Sequence, residues 1–224
     1  MTDVLYRWPE AARFGKVIPK TKFYELGAVT PAVRARFVAE VEGITWAYKL
    51  AESTINLPSS SEVPEIQVLV IKAKGPNVDD SVLSTIDRAI KQPVIFEIAT
   101  AGGRRMTATL KPGVTGARYY STEWNRRDDR RPLPPSITLS SLYAALLEPL
   151  LPIRLRGGEG LSDLADRLAR VSRLERQIAT LERKLRTEPQ LNRKVELRRT
   201  LRAQQTLLAD LTNPTTVSTP TTTN

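Results

Sequence analysis

Glu65, Gln67, Lys72 and Glu97 are the residues whose types and spacing come nearest to a reaction centre. Glu65-Ile66-Gln67 opens an apolar run, and residues two apart in an extended strand point the same way. Glu97 stands inside Phe96-Glu97-Ile98. An inward carboxylate there is costly unless paired, and Lys49 is the partner expected for it. Two carboxylates on adjacent strands with a lysine beside them would hold Mg²⁺ and cleave phosphodiesters, as in nucleases of the restriction-endonuclease fold. Such a site carries Glu-x-Lys where this chain has Glu-x-Gln, and its remaining acid has only Glu52 and Glu62 as candidates. A structural ion pair, with no metal and no cofactor, is the simpler account. A divergent metal-dependent nuclease is the alternative.

The 224 residues include neither histidine nor cysteine. This excludes Ser-His-Asp and Cys-His nucleophiles, thiolate chemistry, disulfides and zinc held by His or Cys. A hydrolase would have to use carboxylates with a metal, or a Lys, Tyr or Ser made reactive by burial. The lack of cysteine fits the cytoplasm, no run of about 20 apolar residues marks a membrane span, and the charged Met1–Pro9 lacks the apolar stretch of a secretory leader. Thirty-four basic against 24 acidic residues give a net charge of +10. Such a surface favours nucleic acid or another polyanion through counterion release.

The densest charge lies near the C-terminus. Between positions 183 and 202 stand Arg183, Lys184, Arg186, Arg193, Lys194, Arg198, Arg199 and Arg202, opposed only by Glu188 and Glu196. Asn192 interrupts the series. These residues fit contacts to a phosphate backbone, which carry no base code. They also fit an interface with another subunit or a second copy, or the solvated face of a coiled coil. Lys20 and Lys22, beside Phe23 and Tyr24, form a smaller cluster with possible phosphate contacts. Arg126-Arg127-Asp128-Asp129-Arg130-Arg131 is self-neutralising and reads as a solvated loop.

The elements that position these groups follow from periodicity. Residues 1–30 read as an irregular arm. Thr30-Pro31 opens a helix that Gly43 closes, and Ile44 to Leu50 alternates as a strand. The near-continuous apolar run from Glu65 to Lys74 predicts a central strand buried on both faces. Asp79 or Asp80 caps a helix ending before Pro93. Strands over 94–99, 104–111 and 118–124 follow, with turns at Ala101-Gly102-Gly103 and Pro112-Gly113. The fold class is therefore α+β: a mixed, partly antiparallel five-stranded sheet with flanking helices over 31–152, including an apolar helix from Leu139 to Leu150. A linker, 153–160, leads to an antiparallel helical hairpin of coiled-coil type over 161–212. Leu164, Val171, Leu174, Ile178, Leu181 and Leu185 share one side of its first helix, and Leu197, Leu201, Leu208 and Leu211 one side of its second, with Pro189 placed to start that second helix. The threonine-rich tail, 213–224, reads as disordered.

Several segments resemble an uncharacterised bacterial domain-of-unknown-function family. They are Tyr6-Arg7-Trp8-Pro9, Lys20-Thr21-Lys22-Phe23-Tyr24, Ile44-Thr45-Trp46-Ala47-Tyr48-Lys49-Leu50, Pro64-Glu65-Ile66-Gln67 and Gln190-Leu191-Asn192-Arg193-Lys194-Val195-Glu196-Leu197. The resemblance covers nearly the whole chain except the threonine tail. It implies genes beside helicases and DNA methyltransferases in phage-defence or restriction-like loci, and hence a helicase, translocase or methyltransferase subunit as partner. It supplies no catalytic residues. The expected function is a non-enzymatic accessory subunit docking that partner through the basic hairpin, with DNA as a second candidate ligand of the same hairpin. The nuclease and a purely structural interaction protein are the alternatives.

Overall fold

A computed structural model describes residues 3–26, 29–110 and 117–213. The turn expected at Pro112-Gly113 and the tail from residue 214 onward lie outside the described residues. The chain divides into two compact units, Met1–Pro152 and Ile153–Asn224.

In the first unit the order is β1 (Leu5–Tyr6), a 3₁₀ turn (Glu10–Ala12), β2 (Arg13–Val17), α1 (Lys20–Leu26), α2 (Pro31–Glu40), β3 (Val41–Leu50), α3 (Glu52–Ile55) and β4 (Ile66–Ala73). It continues with α4 (Asp80–Ile90), β5 (Val94–Thr100), β6 (Gly103–Thr109), β7 (Tyr119–Ser121), β8 (Arg130–Arg131), α5 (Leu139–Leu147) and a 3₁₀ turn (Glu148–Leu150). One sheet has the order β2-β3-β4-β5-β6-β7, antiparallel throughout except for β4 and β5. These two are parallel because α4 carries the chain back between them. β1 and β8 form a separate parallel pair.

The sheet therefore has six strands, not five. The additional strand, β2, lies in the expected irregular arm. All five of its residues are exposed, and its ladder to β3 slips between Arg13 and Lys16, where Gly15 takes φ +67°. An exposed, bulged edge strand has no reason to alternate in sequence. The same arm holds α1. Helix α2 begins as expected, its Thr30 hydroxyl accepting from the Val33 amide at 3.3 Å. It ends at Glu40, not Gly43: fully buried Val41 pairs with Ala73 and starts β3. The Asp79 carboxylate caps α4 by accepting from the Ser81 amide at 2.9 Å.

Alternation along β4 and β5 sorts the sheet into two faces. Leu69 and Ile71 of β4 and Val94, Phe96 and Ile98 of β5 form one buried cluster with Phe37 of α2 and Val82, Leu83 and Ile86 of α4. Each such fully buried side chain contributes roughly 1.5–3 kcal/mol. Val68, Val70, Ile95 and Glu97 take the opposite face. α5 buries Leu139, Leu142, Tyr143, Leu146 and Leu147, and the Tyr143 hydroxyl donates to the Thr109 carbonyl at 3.0 Å.

The second unit ends in two helices, α6 (Leu161–Thr187) and α7 (Leu191–Thr212). Arg167, near the start of α6, donates to the carbonyl of Leu211, near the end of α7, at 2.9 Å. With Glu188–Gln190 as the bend, the helices run antiparallel. Pro189 lies ahead of the N-cap Gln190 and so does not begin α7 as expected. Arg167 also holds both Glu159 oxygens, at 2.6 and 2.5 Å, and donates to the Arg154 carbonyl at 2.8 Å. One buried guanidinium thus ties the segment before α6 to both helices.

Candidate binding surface and the carboxylates of the sheet

The helical bend gathers the charge that the sequence concentrates. Arg183, Lys184 and Arg186 lie in the final turns of α6. Asn192, Arg193 and Lys194 lie in the first turn of α7, followed by Arg198, Arg199 and Arg202. All are exposed except Lys194, which is partly buried. Among the described residues none of the eight cations has an ion-pair partner within 4.0 Å, whereas Lys49, Lys72, Arg130 and Arg167 each do. Lys184, Thr187, Arg193, Glu196 and Thr200 line a shallow cleft of about 450 Å³ at the bend.

The helix dipoles sharpen this picture. Lys184 and Arg186 complement the negative end of α6. Arg193 and Lys194 instead sit at the positive end of α7, whose first turn contains no acid. Like charge there is a local cost that a bound anion would remove.

The sheet carboxylates do not converge. Gln67 shares its face with Leu69 and Ile71, and Glu65 precedes it at the same parity; Glu97 alternates with Phe96 and Ile98 and points to the other face. Glu65 and Glu97 are thus on opposite faces of the sheet. Each is neutralised where it stands. The Lys49 ammonium lies 2.6 Å from one Glu65 oxygen, and the Gln67 amide donates to the other at 2.6 Å. The Gln67 carbonyl in turn accepts from the Trp46 indole at 2.7 Å. Lys72 pairs with exposed Glu42 at 2.6 Å. Among the described residues no group of three or more acids is arranged to hold a metal ion.

Lys49 is therefore not the partner of Glu97. That role belongs to Arg130, whose guanidinium makes two parallel hydrogen bonds of 2.9 Å to the two carboxylate oxygens. The Trp8 indole donates a third, at 2.5 Å, and Arg104 lies 3.9 Å away. Asp128 lies 3.1 Å from Arg130. The stretch 126–131, expected as a solvated loop, thus contributes a half-buried cation to the interior. The signal available in the sequence was the cost of an unpaired inward glutamate; spacing alone could not choose among the chain's many arginines. Trp8, which the sequence places only as an aromatic of the arm, is the other residue missed.

Lys20 and Lys22 do not form a phosphate pocket together. The Lys20 ammonium donates to the carbonyls of Phe37 and Val41 at the C-terminal end of α2, a favourable place for a cation. Burial lowers its pKa, with Lys74 adding to the effect. Lys22 is exposed, 3.8 Å from Glu25.

A second buried acid, Asp87 of α4, has a single partner. The Tyr119 hydroxyl donates to one of its oxygens, and the other has none. Burial pushes the Asp87 carboxyl up to about 7, against the opposing pull of the Tyr119 bond.

A basic two-helix extension follows an α+β domain in which Glu65 and Glu97 are each paired within the fold. Residues 7–208 match the family described as a domain of unknown function, DUF4391, and the chain belongs to that family. No curated protein and no solved structure matches it. Among the described residues no helix is long and apolar enough to cross a membrane.

Proposed function

We propose that this protein is a non-enzymatic accessory subunit that holds the phosphate backbone of DNA on its helical bend and docks a larger DNA-processing partner. The observation that carries the reading is the set of eight cations at the bend without ion-pair partners among the described residues. A protein neutralising several phosphates at once releases counterions and binds without base specificity. Arg193 and Lys194 at the positive end of α7 add to the preference for an anion. Leu191 and Val195, 72% and 58% exposed, stand one turn apart on α7 beside Arg198 and Arg202. An exposed apolar pair flanked by arginines suits a protein contact next to the nucleic acid.

A helicase, translocase or methyltransferase as partner, and a bacterial anti-phage or restriction-like setting, rest on the motif resemblance described above and not on geometry. The test is DNA binding by fluorescence anisotropy over a range of salt. Replacing Arg193, Lys194, Arg198 and Arg199 by Glu should abolish salt-sensitive binding; unchanged affinity would overturn the assignment.

A further inference from the structure

The sheet holds a second cationic surface, independent of the hairpin. A cleft of about 1110 Å³ opens at the carboxyl ends of β4 and β5. Its floor is made of short side chains on the face that α2 and α4 leave bare: Thr45 and Val70, paired across β3 and β4, and Ala99 of β5, which pairs with Lys72 one step further along. Lys72, Lys74, Arg104 and Arg126 stand around it, and Glu42 is the one acid in its lining. A neighbouring cleft of about 590 Å³ over the β5–β6 turn shares Thr100, Ala101, Gly102, Arg104 and Arg126 with the first. The two are one continuous groove, to which the second cleft adds one further acid, Asp128.

The cations are not equally committed. Lys72 is neutralised by Glu42, and Lys74 is steadied by its hydrogen bond to the Val38 carbonyl at 2.7 Å, which leaves its charge unbalanced. Arg104 reaches Glu97 and Asp128 only at 3.9 and 3.7 Å. Exposed Arg126 has no partner among the described residues. Unbalanced positive charge on both sides of a narrow floor fits a chain of phosphates rather than a neutral ligand. The carboxyl ends of parallel strands are also where α/β sheets bind their ligands. The volume suits a ligand of nucleotide to short-oligonucleotide size.

We infer that this groove is a binding site for nucleotide phosphates, distinct from the hairpin and not dependent on its role. Two sources share that chemistry, a free nucleotide and a short single strand. Two probes separate them, ATP and a fluorescent thymidine trinucleotide, each titrated against the full chain by calorimetry or anisotropy. Saturable binding of one probe below about 1 mM is expected. Lys74→Glu with Arg126→Glu should weaken it at least about tenfold, and Thr45→Glu, which puts a carboxylate on the floor, should do the same. The hairpin variant with Glu at 193, 194, 198 and 199 should bind the same probe as the parent does. Arg126→Glu alone, at an exposed unpaired position, keeps the test open if the double variant fails to fold. Absence of saturable binding for both probes, survival of binding in the groove variants, or its loss in the hairpin variant would each overturn the inference.

Discussion

Arg130 and Glu97 are joined by two parallel hydrogen bonds of 2.9 Å across 33 residues of sequence, with only 2% of the Glu97 side chain exposed. The fork matches the carboxylate, and the Trp8 indole completes its coordination. Removing one member leaves the other charge stranded, which costs more than the pair contributes. Glu97→Ala should therefore destabilise the first unit by about 3–5 kcal/mol in urea unfolding. The double variant with Arg130→Ala should be less destabilised than the sum of the two singles; strict additivity would deny the coupling.

Asp87 makes stability depend on pH in the less common direction. An aspartate in the unfolded chain ionises near ~3.9, whereas burial holds this one protonated up to about 7. Between those values the folded state binds a proton that the unfolded state has released, so stability falls as pH rises from about 4 to about 7 and is level above that. The full amplitude is about 4 kcal/mol. Asp87→Asn keeps an oxygen for the Tyr119 hydroxyl and removes the titration. It should be more stable than the parent at pH ~8 and similar at pH ~4. Parallel pH profiles for the two proteins would refute this account.

Binding at the hairpin has a salt signature. Each phosphate contact contributes about 0.9 to the slope of log affinity against log salt on duplex DNA. Neutralising Arg193, Lys194, Arg198 and Arg199 to Gln should reduce that slope by up to about 3.6. The reduction should not depend on DNA sequence, because no base edge is read. A strong dependence on sequence would point to contacts of another kind.

Arg167 is the structural clamp of the second unit. It is 6% exposed and bonds Glu159, Arg154 and Leu211 together. The Glu159 carboxyl is pushed up by burial, yet the bonds from Arg167 and the Arg156 amide outweigh this and hold its pKa below the usual value. Arg167→Met should release the end of α7, costing about 3–5 kcal/mol locally and leaving Glu159 buried without its cation. Hydrogen exchange should show the last turns of α7 losing protection while α5 is unaffected; unchanged protection in α7 would deny the clamp.

How far the sequence could be read depended on what each residue type has to satisfy. Thr30-Pro31 and Asp79 located helix starts because an N-cap is a local demand met within three residues. The apolar run of β4 signalled a central strand because Ile66 to Leu69 are buried on both faces. β2 was hidden because an exposed edge imposes little pattern, and Gly15 breaks the little alternation it has. The basic bend was visible as composition, since exposed charge needs no partner. The Glu97 centre was only half visible: burial made a cation necessary, but Arg130 and Trp8 come from segments 33 and 89 residues away, chosen by topology. Glu65 and Gln67 point the same way, as period-two alternation requires. The opposite orientation of Glu97 depends on which residues of β5 meet α4, and no local signal reports that.

The pairing of β1 with β8 has a consequence for the birth of the molecule. Leu5 is aligned with Arg130, and Tyr6 with Arg131. β1 must wait for a segment made long after it. At roughly 5–20 residues per second, the 125-residue separation of Leu5 and Arg130 takes roughly 6 to 25 s to make. For that time Leu5 and Tyr6 lack their strand partner, while β2, β3, β4 and β5 can already pair with one another and the Trp8 ring can already meet Tyr48 and Glu97. β1 is thus made well before it can be paired, and the bond of Arg130 to Glu97 is the latch that closes the domain behind it.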